Sequence, residues 1–365
     1  MNTKIFHSTL IAFVSSFGLQ AQTEDNNAEK KSPLTFSGYL ETYYAYDLNA
    51  PENNTRPGFI YSHNRHNEVN LNLGYIKANY EKDKVRANLA IMAGTYSNAN
   101  LAAEAGVLKN IYEANAGIKL SEKHNLWVDA GIFASHIGFE SAVSKDCWTL
   151  TRSILADNSP YYESGAKISY TSPSQKWFIS GLVLNGWQRI QRADGNKSLA
   201  FGHQVTYKPN SKVTLNSSSF IGNDKPAVEK RMRYFHNFYG QFQLDAKWGV
   251  ITGFDIGAEQ KEKHSNSYNI WYSPVVIVKY NATDKISLAA RGEYYADKNG
   301  VIISTGTPNG FQTYGYSLNL DYKIMDNVVW RVEARNLNSK DAIFTRDAAP
   351  VTNSFVAVTS LAVSF

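Results

Sequence analysis

Strand-like segments recur along the whole chain, and most have one apolar and one polar face, although 176–186 and 268–280 carry apolar residues on both faces. In the segment 314–324, YGYSLNLDYKI, Tyr316 and Leu318 fall on one face, whereas Ser317 and Asn319 fall on the other. Successive side chains of a strand point to opposite sides, so this alternation predicts a long strand. Sixteen such segments are predicted, at 36–47, 66–80, 85–96, 111–120, 125–136, 161–171, 176–186, 199–208, 212–222, 234–246, 249–260, 268–280, 285–296, 311–323, 327–337 and 354–365.

The connections between these segments alternate between short and long. The short ones follow the even-numbered segments, at 81–84, 121–124, 172–175, 209–211, 247–248, 281–284 and 325–327. A transmembrane β-barrel has this asymmetry, with tight periplasmic turns and longer extracellular loops. Most segments are about 10 to 13 residues long, and a tilted strand needs about 9–11 residues to cross a bilayer.

These patterns predict an all-β protein: a transmembrane antiparallel up-and-down β-barrel of about 16 strands over residues 36–365. In a closed barrel every backbone group has a partner, and lipid covers the apolar face. The alternative is a soluble propeller or sandwich. A propeller would show shorter strands and a periodic blade signature, which this sequence lacks.

The N-terminus has the three-part order of an export signal. Lys4 supplies a positive charge, and an apolar stretch at 10–19 precedes Gln20-Ala21-Gln22. We predict a signal peptide at 1–21 and a flexible periplasmic lead-in at 22–35; a disordered apolar terminus is the alternative. An exported barrel belongs in the bacterial outer membrane, so outer-membrane lipid and the barrel-assembly machinery are expected partners.

The polar faces of the strands carry charges of both signs. A barrel of about 16 strands encloses an aqueous channel, and interspersed charges would produce a transverse field that orients polar solutes. Cross-strand pairs that brace the wall are a compatible alternative. The predicted pore-lining residues are Glu41, Arg86, Asp129, Lys167, Asp255, Glu259, Arg291, Glu293, Arg331, Glu333 and Arg335.

The longest connection, 137–160, has apolar residues that a solvated outer loop does not need. Phe139, Trp148 and Leu150 are examples. We predict that this loop folds into the lumen and narrows it; the alternative is an outer loop packed on itself or on a neighbouring subunit. The charged residues then expected at the constriction are Asp146, Arg152 and Asp157.

Three stretches resemble the β-barrel porin-2 (OmpL-like) family of bacterial outer-membrane proteins. They are FSGYLETYYAYDLN at 36–49, HIGFES at 136–141 and TRSILADNSPYYESGAKISY at 151–170. The resemblance covers about 36–365 and implies a porin barrel without catalytic residues. The residues at matching positions are then expected to shape the loop and the pore; they are Glu140, Arg152, Ser153, Pro160 and Gly165. Glu140 is therefore added to the candidates for the constriction loop.

The chain ends on an aromatic residue, Phe365, at the close of an alternating segment. This ending is typical of the C-terminal signal that the insertion machinery of outer-membrane barrels reads. The alternative is a chain that simply ends on an edge strand.

The sequence has no GxSxG, P-loop or CxxC motif, and one cysteine, Cys147, permits no intrachain disulfide. His63 and His66 are predicted to be surface-loop histidines, with no metal site and no cofactor. Ser135-His136 would suggest a lipase-like enzyme, but adjacent strand residues point to opposite faces.

The net charge of +5 is small and is spread along the chain, so the sequence does not favour binding to nucleic acid. We therefore predict a porin, not an enzyme, that passes small hydrophilic solutes passively, and a homotrimer is one expected assembly. The alternatives are a surface adhesin with a plugged lumen and, less favoured, the lipase-like enzyme.

Overall fold

The computed structural model describes residues 32–365, and strands make up most of that range. Two short α-helices, α1 (Thr95–Asn100) and α2 (Ile154–Asp157), and two 3-10 helices, Gly106–Asn110 and Ser144–Asp146, lie in connections. No helix within 32–365 has the length and apolarity to span a membrane. The strands are β1 (Leu34–Asp47), β2 (Val69–Lys82), β3 (Val85–Ala93), β4 (Ile111–Lys119), β5 (Asn125–Ala134), β6 (Tyr162–Thr171), β7 (Trp177–Leu184), β8 (Ala200–Asn210), β9 (Val213–Gly222), β10 (Arg233–Gln243), β11 (Trp248–Gln260), β12 (Tyr268–Asn281), β13 (Ile286–Asp297), β14 (Phe311–Met325), β15 (Val328–Ser339), β16 (Phe344–Arg346), β17 (Ala349–Val351) and β18 (Asn353–Ser364).

Within residues 32–365, sixteen of these strands, β1 to β15 and β18, form one closed antiparallel barrel. Each strand pairs with its neighbours in sequence, and β1 and β18 close the ring in a register from Tyr39↔Ser364 to Asp47↔Val356. Closure leaves no unpaired strand edge, which a membrane could not solvate. The predicted fold class and strand number are confirmed.

The long connections all follow odd-numbered strands, so in an up-and-down barrel they share one end, here called the loop end. The opposite end, the turn end, carries the short connections, none longer than the five residues of 120–124. The long connections are named L1 (48–68), L2 (94–110), L3 (135–161), L4 (185–199), L5 (223–232), L6 (261–267), L7 (298–310) and L8 (340–352).

Most strand ends are shifted from the predicted ones by about one to three residues, and two differences change a predicted region. The lead-in was predicted to reach residue 35, but β1 begins at Leu34 because Leu34 and Thr35 extend the pairing with Tyr80 and Asn79 of β2. L8 contains the hairpin β16–β17, which was not predicted. The predicted signal peptide at 1–21 and the lead-in as far as residue 31 lie outside the described residues.

The two faces of the barrel wall differ as the alternation predicts. On β14, Tyr314, Tyr316 and Leu318 are 63%, 58% and 70% exposed, whereas Ser317 and Asn319 on the inner face are 4% and 3% exposed. Exposed aromatic and aliphatic side chains on the outer face suit contact with lipid.

The largest apolar core lies inside the barrel, toward its loop end. Inward side chains of the strands, such as Phe220 and Trp271, pack there with loop residues Ile60 of L1, Ile154 of L3 and Ile303 of L7. Several long loops therefore fold inward and bury apolar side chains against the wall.

Candidate functional site: the inner wall and loop L3

Loop L3 lies along the inner faces of β13, β14 and β15. The backbone N–H of Leu150 donates to Oδ1 of Asn319 at 3.0 Å, and that of Thr151 donates to Oε2 of Glu333 at 2.5 Å. The N–H of Ile154 donates to Oε2 of Glu293 at 2.6 Å. Hydrogen bonds to an ionised acceptor are stronger than neutral ones, so two of these contacts hold the loop firmly.

Two arginines of the same wall donate back to L3. Arg291 donates from Nη1 to Oγ1 of Thr149 at 2.9 Å and to the carbonyl oxygen of Thr151 at 2.7 Å. Arg331 donates from Nη2 to the carbonyl oxygen of Cys147 at 3.0 Å, and from Nη1 to that of Ser144. The wall and the loop thus exchange donors and acceptors in both directions.

The charges on this wall are also paired with each other. Arg291 lies 2.9 Å from Glu333, and Arg335 lies 2.7 Å from Glu293. Arg331 lies 2.7 Å from Asp321 of β14. A buried charge is tolerated only when it is paired and hydrogen-bonded, and each of these arginines meets that condition.

L3 is braced internally by Arg152. Its guanidinium donates to the carbonyl oxygens of Ser141 at 2.6 Å, Leu150 at 2.6 Å and Ala142 at 3.0 Å. The next residue, Ser153, caps α2 through a hydrogen bond from the Ala156 N–H to its Oγ at 3.2 Å. The loop therefore has an ordered interior of its own.

Burial raises the pKa of two aspartates in L3. Loss of hydration raises the pKa of Asp157 to about 7, although Arg335 and Arg152 lie near it and oppose the change. Loss of hydration likewise raises the pKa of Asp146 to about 6, against the effect of Lys145. Both carboxyl groups thus titrate closer to neutral pH than an exposed aspartate does.

The inner wall from β2 to β6 has a different surface. Lys77 of β2 lies 2.6 Å from Glu113 of β4, and their side chains are 21% and 14% exposed. Arg86 of β3 donates to Asp129 of β5 at 2.6 and 2.5 Å. Gly117 of β4 leaves room for that pair, since a Cβ there would lie 2.1 Å from Oδ1 of Asp129.

All of the residues predicted to line a pore lie on the inner face of the barrel. Arg86 and Lys167 are half-buried, and the others are buried: Glu41, Asp129, Asp255, Glu259, Arg291, Glu293, Arg331, Glu333 and Arg335. The structure brings four of them, on β13 and β15, into one ion-pair network with L3. Their role in solute passage stays a prediction.

The candidates in L3 itself are placed differently from one another. Glu140, Arg152 and Asp157 are buried, whereas Asp146 is half-buried. Whether these side chains form a constriction stays a prediction.

Part of L1 is buried, and its contribution was missed at the sequence level. His63 and His66, predicted to be surface histidines, are 0% and 4% exposed, so that prediction is wrong. Nε2 of His63 lies 3.3 Å from Oε1 of Glu41, and Arg56 pairs with Asp47 at 3.4 Å. Their partners lie on β1, and no local pattern in L1 indicates that the loop folds back onto that strand.

The other histidine considered, His136, is also buried. Its Nε2 lies 2.8 Å from the carbonyl oxygen of Ser219, while Oγ of Ser135 accepts from the N–H of Ile137 at 3.1 Å. Each side chain therefore contacts a backbone group and not the other side chain. In the described range, no group of three or more His, Cys, Asp or Glu residues could hold a metal ion.

Phe365 completes the barrel at the turn end. Its backbone exchanges two hydrogen bonds with Gly38, at 2.7 and 3.0 Å, and the residue is 70% exposed. A Cβ on Gly38 would lie 2.3 Å from that ring, so glycine permits the close approach. The function of Phe365 as an insertion signal stays a prediction.

A closed sixteen-strand barrel, with a lipid-facing outer surface and an inward loop, defines the class of outer-membrane porins. Residues 33–365 match the family described as "Putative beta-barrel porin-2, OmpL-like", and the chain belongs to that family. It is an outer-membrane porin of a bacterium. A comparison with curated proteins gives no match.

Solved porin structures share the fold at low sequence identity. OmpT of Vibrio cholerae has a TM-score of 0.59 and 12% identity, and the match covers 91% of this chain and 97% of that one. An anion-selective porin from Comamonas acidovorans has a TM-score of 0.60 and 8% identity, covering 91% and 99%. The outer membrane channel DcaP of Acinetobacter baumannii has a TM-score of 0.59 and 10% identity, covering 91% and 97%.

Proposed function

We propose that this porin passes small hydrophilic solutes by passive diffusion and that L3 sets the size limit of the channel. The observation that supports this most directly is the unequal cover of the inner wall. L3 lies against β13 to β15, whereas Lys77 and Glu113 on β2 and β4 keep partly accessible charged groups. Charges of both signs along a water-filled wall favour weak selectivity for polar solutes over a dedicated ion filter.

Single-channel conductance in planar bilayers tests the role of L3. Deletion of residues 142–156 removes the segment that contacts β14 and β15, so we expect a larger conductance and, in liposome swelling, a larger sugar cutoff. Deletion of 262–266 in the exposed loop L6 is the control, and it should leave both unchanged. An unaltered conductance in the L3 variant, with the barrel intact by circular dichroism, would refute the role of the loop.

The same recording addresses the second candidate, a surface adhesin with a plugged lumen. The apolar core under L1, L3 and L7 favours this candidate because it fills part of the loop end. A barrel that inserts stably and conducts no ions would support the adhesin over the channel.

We also propose that the protein is a channel and not an enzyme. Release of fatty acid from phospholipid by the pure protein would contradict this.

We further propose that the barrel assembles as a homotrimer through the outer face of β2 to β9. One solved form of OmpT of Vibrio cholerae is described as a trimer. Near the loop end, Tyr234 of β10 and Tyr314 of β14 are exposed, whereas β3 and β9 present Ile91 and Ile221. Tyrosines favour the lipid interface, so the face with aliphatic residues is the better candidate for contact with another subunit.

Native mass spectrometry of two matched variants tests this interface. Leu89 on β3 and Leu318 on β14 both point outward and are 51% and 70% exposed. We expect Leu89→Arg to dissociate the trimer and Leu318→Arg to leave it assembled. A monomeric wild type, or dissociation by both variants alike, would contradict the proposed face.

A further inference from the structure

A cavity of about 190 Å³ lies between L2, L3 and the adjoining ends of β3 to β6. One lining residue, Glu140, also reaches the covered side of the barrel, where its Oε1 lies 3.9 Å from Nη1 of Arg291 on β13. Five aromatic side chains line it, from four different elements, and its remaining lining is largely aliphatic. The aromatic residues are Tyr96, Tyr112, Phe139, Tyr161 and Tyr162.

Contacts outside the cavity hold these rings in position. Tyr112 stacks on Tyr75 with ring centroids 4.8 Å apart and an interplanar angle of 6°. The hydroxyl of Tyr162 donates to Oε1 of Glu104 at 2.9 Å. The rings of Tyr96 and Tyr161 are nearly perpendicular, with an interplanar angle of 83° and centroids 5.8 Å apart. A site whose walls are already fixed loses little entropy when a ligand enters.

Two buried polar atoms of the lining residues have no hydrogen-bond partner. They are Oε1 of Glu140 and the hydroxyl of Tyr161. Oε2 of Glu140 accepts from the N–H of Ser153 at 3.1 Å, so one carboxylate oxygen is occupied. Oε1 forms an ion pair with Nη1 of Arg291 at 3.9 Å, a distance at which no hydrogen bond forms. A buried polar atom without a partner is costly, and a ligand that supplied one would remove that cost.

We propose that this cavity binds a small organic ammonium ion. The faces of aromatic rings are electronegative and attract cations, and rings around a quaternary ammonium group form a known type of recognition site. The Glu140 carboxylate would act as counter-ion, and the Tyr161 hydroxyl would pair with a hydroxyl group on the ligand. A bare metal ion does not fit, because it needs several oxygen ligands and these walls are mainly apolar.

The volume indicates the size of ligand that the cavity can enclose. A buried apolar cavity of about 150 Å³ holds benzene, which has six heavy atoms, so this cavity of about 190 Å³ accommodates a compact cation of similar size. Choline has seven heavy atoms and carries one hydroxyl group, so it is a suitable probe. Several lining residues, among them Ser135, Phe139 and Ser141, are half-buried, which leaves the cavity a solvent-accessible side.

Isothermal titration calorimetry on the folded barrel in detergent tests the proposal without any channel recording. Choline should bind saturably, and 3,3-dimethylbutan-1-ol, its uncharged analogue of the same shape, should bind at least about tenfold more weakly, because the cation–π and counter-ion attractions are absent. Equal binding of the two ligands, or no binding of choline to the wild type, would overturn the site. This comparison needs no variant.

Two variants then assign the residues. Glu140→Gln keeps the shape and one acceptor but removes the charge, so the affinity for choline should fall at least about tenfold. Tyr161→Phe removes only the hydroxyl and should cost a smaller factor. Glu122→Gln, in the turn at the opposite end, is the control and should bind like the wild type. An unchanged affinity in Glu140→Gln would show that the carboxylate is not the counter-ion.

The two proposals can fail separately. A barrel that conducts ions but binds no choline refutes the binding site alone, and a barrel that binds choline but does not conduct refutes the channel alone.

Discussion

The inner wall of this porin has two regions that carry similar charges in different surroundings. On β13 and β15, Arg291, Glu333 and Arg335 are at most 2% exposed, and their partners include the backbone of L3. Lys77 on β2 and Glu113 on β4 form an ion pair over the inner face of β3, which lies between these strands, and both side chains stay partly accessible. We call these the covered wall and the open wall. The difference shows that an inward charge can either fasten a loop or face solvent, and that the cover decides which.

The largest expected effect is on the covered wall. Arg291→Ala leaves Glu333 and Glu293 without this partner in a dry site, and removing one member of a buried ion pair costs about 3–5 kcal/mol of stability. Guanidinium unfolding followed by tryptophan fluorescence measures the change. Lys77→Ala on the open wall is the control, with an expected cost of no more than about 1 kcal/mol, because its pair is partly exposed. Equal losses in the two variants would erase the distinction between the walls.

A second variant tests whether the open wall is loosely built. Gly131 of β5 has φ +128°, and a Cβ there would lie 2.2 Å from the carbonyl oxygen of Ala114. Gly131→Ala should therefore destabilise the barrel by about 1–3 kcal/mol, since both the backbone conformation and the contact are unfavourable. Gly292→Ala is the matched control, because a Cβ there meets nothing within 4 Å. A neutral Gly131→Ala would mean that the backbone of the open wall yields easily.

A pH dependence of stability is expected from the loop that forms the cover. Burial raises the pKa of Asp157 to about 7 in the folded barrel, whereas an unfolded aspartate titrates near 4. Between about pH 4 and pH 7 the folded state therefore binds more protons than the unfolded state, and stability falls as pH rises, by at most about 1.4 kcal/mol per pH unit for this group.

Unfolding midpoints at pH 5 and pH 7.5 measure this dependence. Asp157→Asn should reduce the slope, because the amide cannot ionise in the buried site, and the part that Asp146 contributes should remain. Asp284→Asn, in an exposed turn, should keep the wild-type slope. If Asp157→Asn retains the full slope, another group in the cover is responsible for it.

The strands could be predicted from the sequence, because alternation with a period of two and the lengths of the connections are local properties. The inward position of L3 was also indicated locally, by apolar residues such as Trp148. The hairpin β16–β17 was missed because its turn, Asp347-Ala348, places two non-glycine residues at φ 49° and 60°. The usual Asn-Gly or Asp-Gly signal of such a turn is absent.

The depth of burial could not be predicted in the same way. Alternation assigns Arg331 and Arg86 to the same inner face, but it does not indicate that L3 covers the first and leaves the second half-exposed. Likewise, the burial of His63 depends on Glu41, and the cavity depends on Tyr96 and Tyr161 meeting from different loops. These features arise from tertiary contacts between distant segments, for which a single sequence carries no periodic pattern.

The smallest expected effect is on ion selectivity, and it separates the two walls most directly. Lys77→Gln leaves the carboxylate of Glu113 unpaired in a partly accessible position, so cations should be favoured, with a change in the K⁺/Cl⁻ permeability ratio of less than about twofold. Reversal potentials in a KCl gradient measure it, and Glu113→Gln should shift them the opposite way. Glu333→Gln should leave the reversal potential unchanged while lowering stability, because its carboxylate is 0% exposed and is hydrogen-bonded to L3. If Glu333→Gln shifts the potential as much as Lys77→Gln, ions reach both walls, and L3 does not divide the inner surface into a covered and an open part.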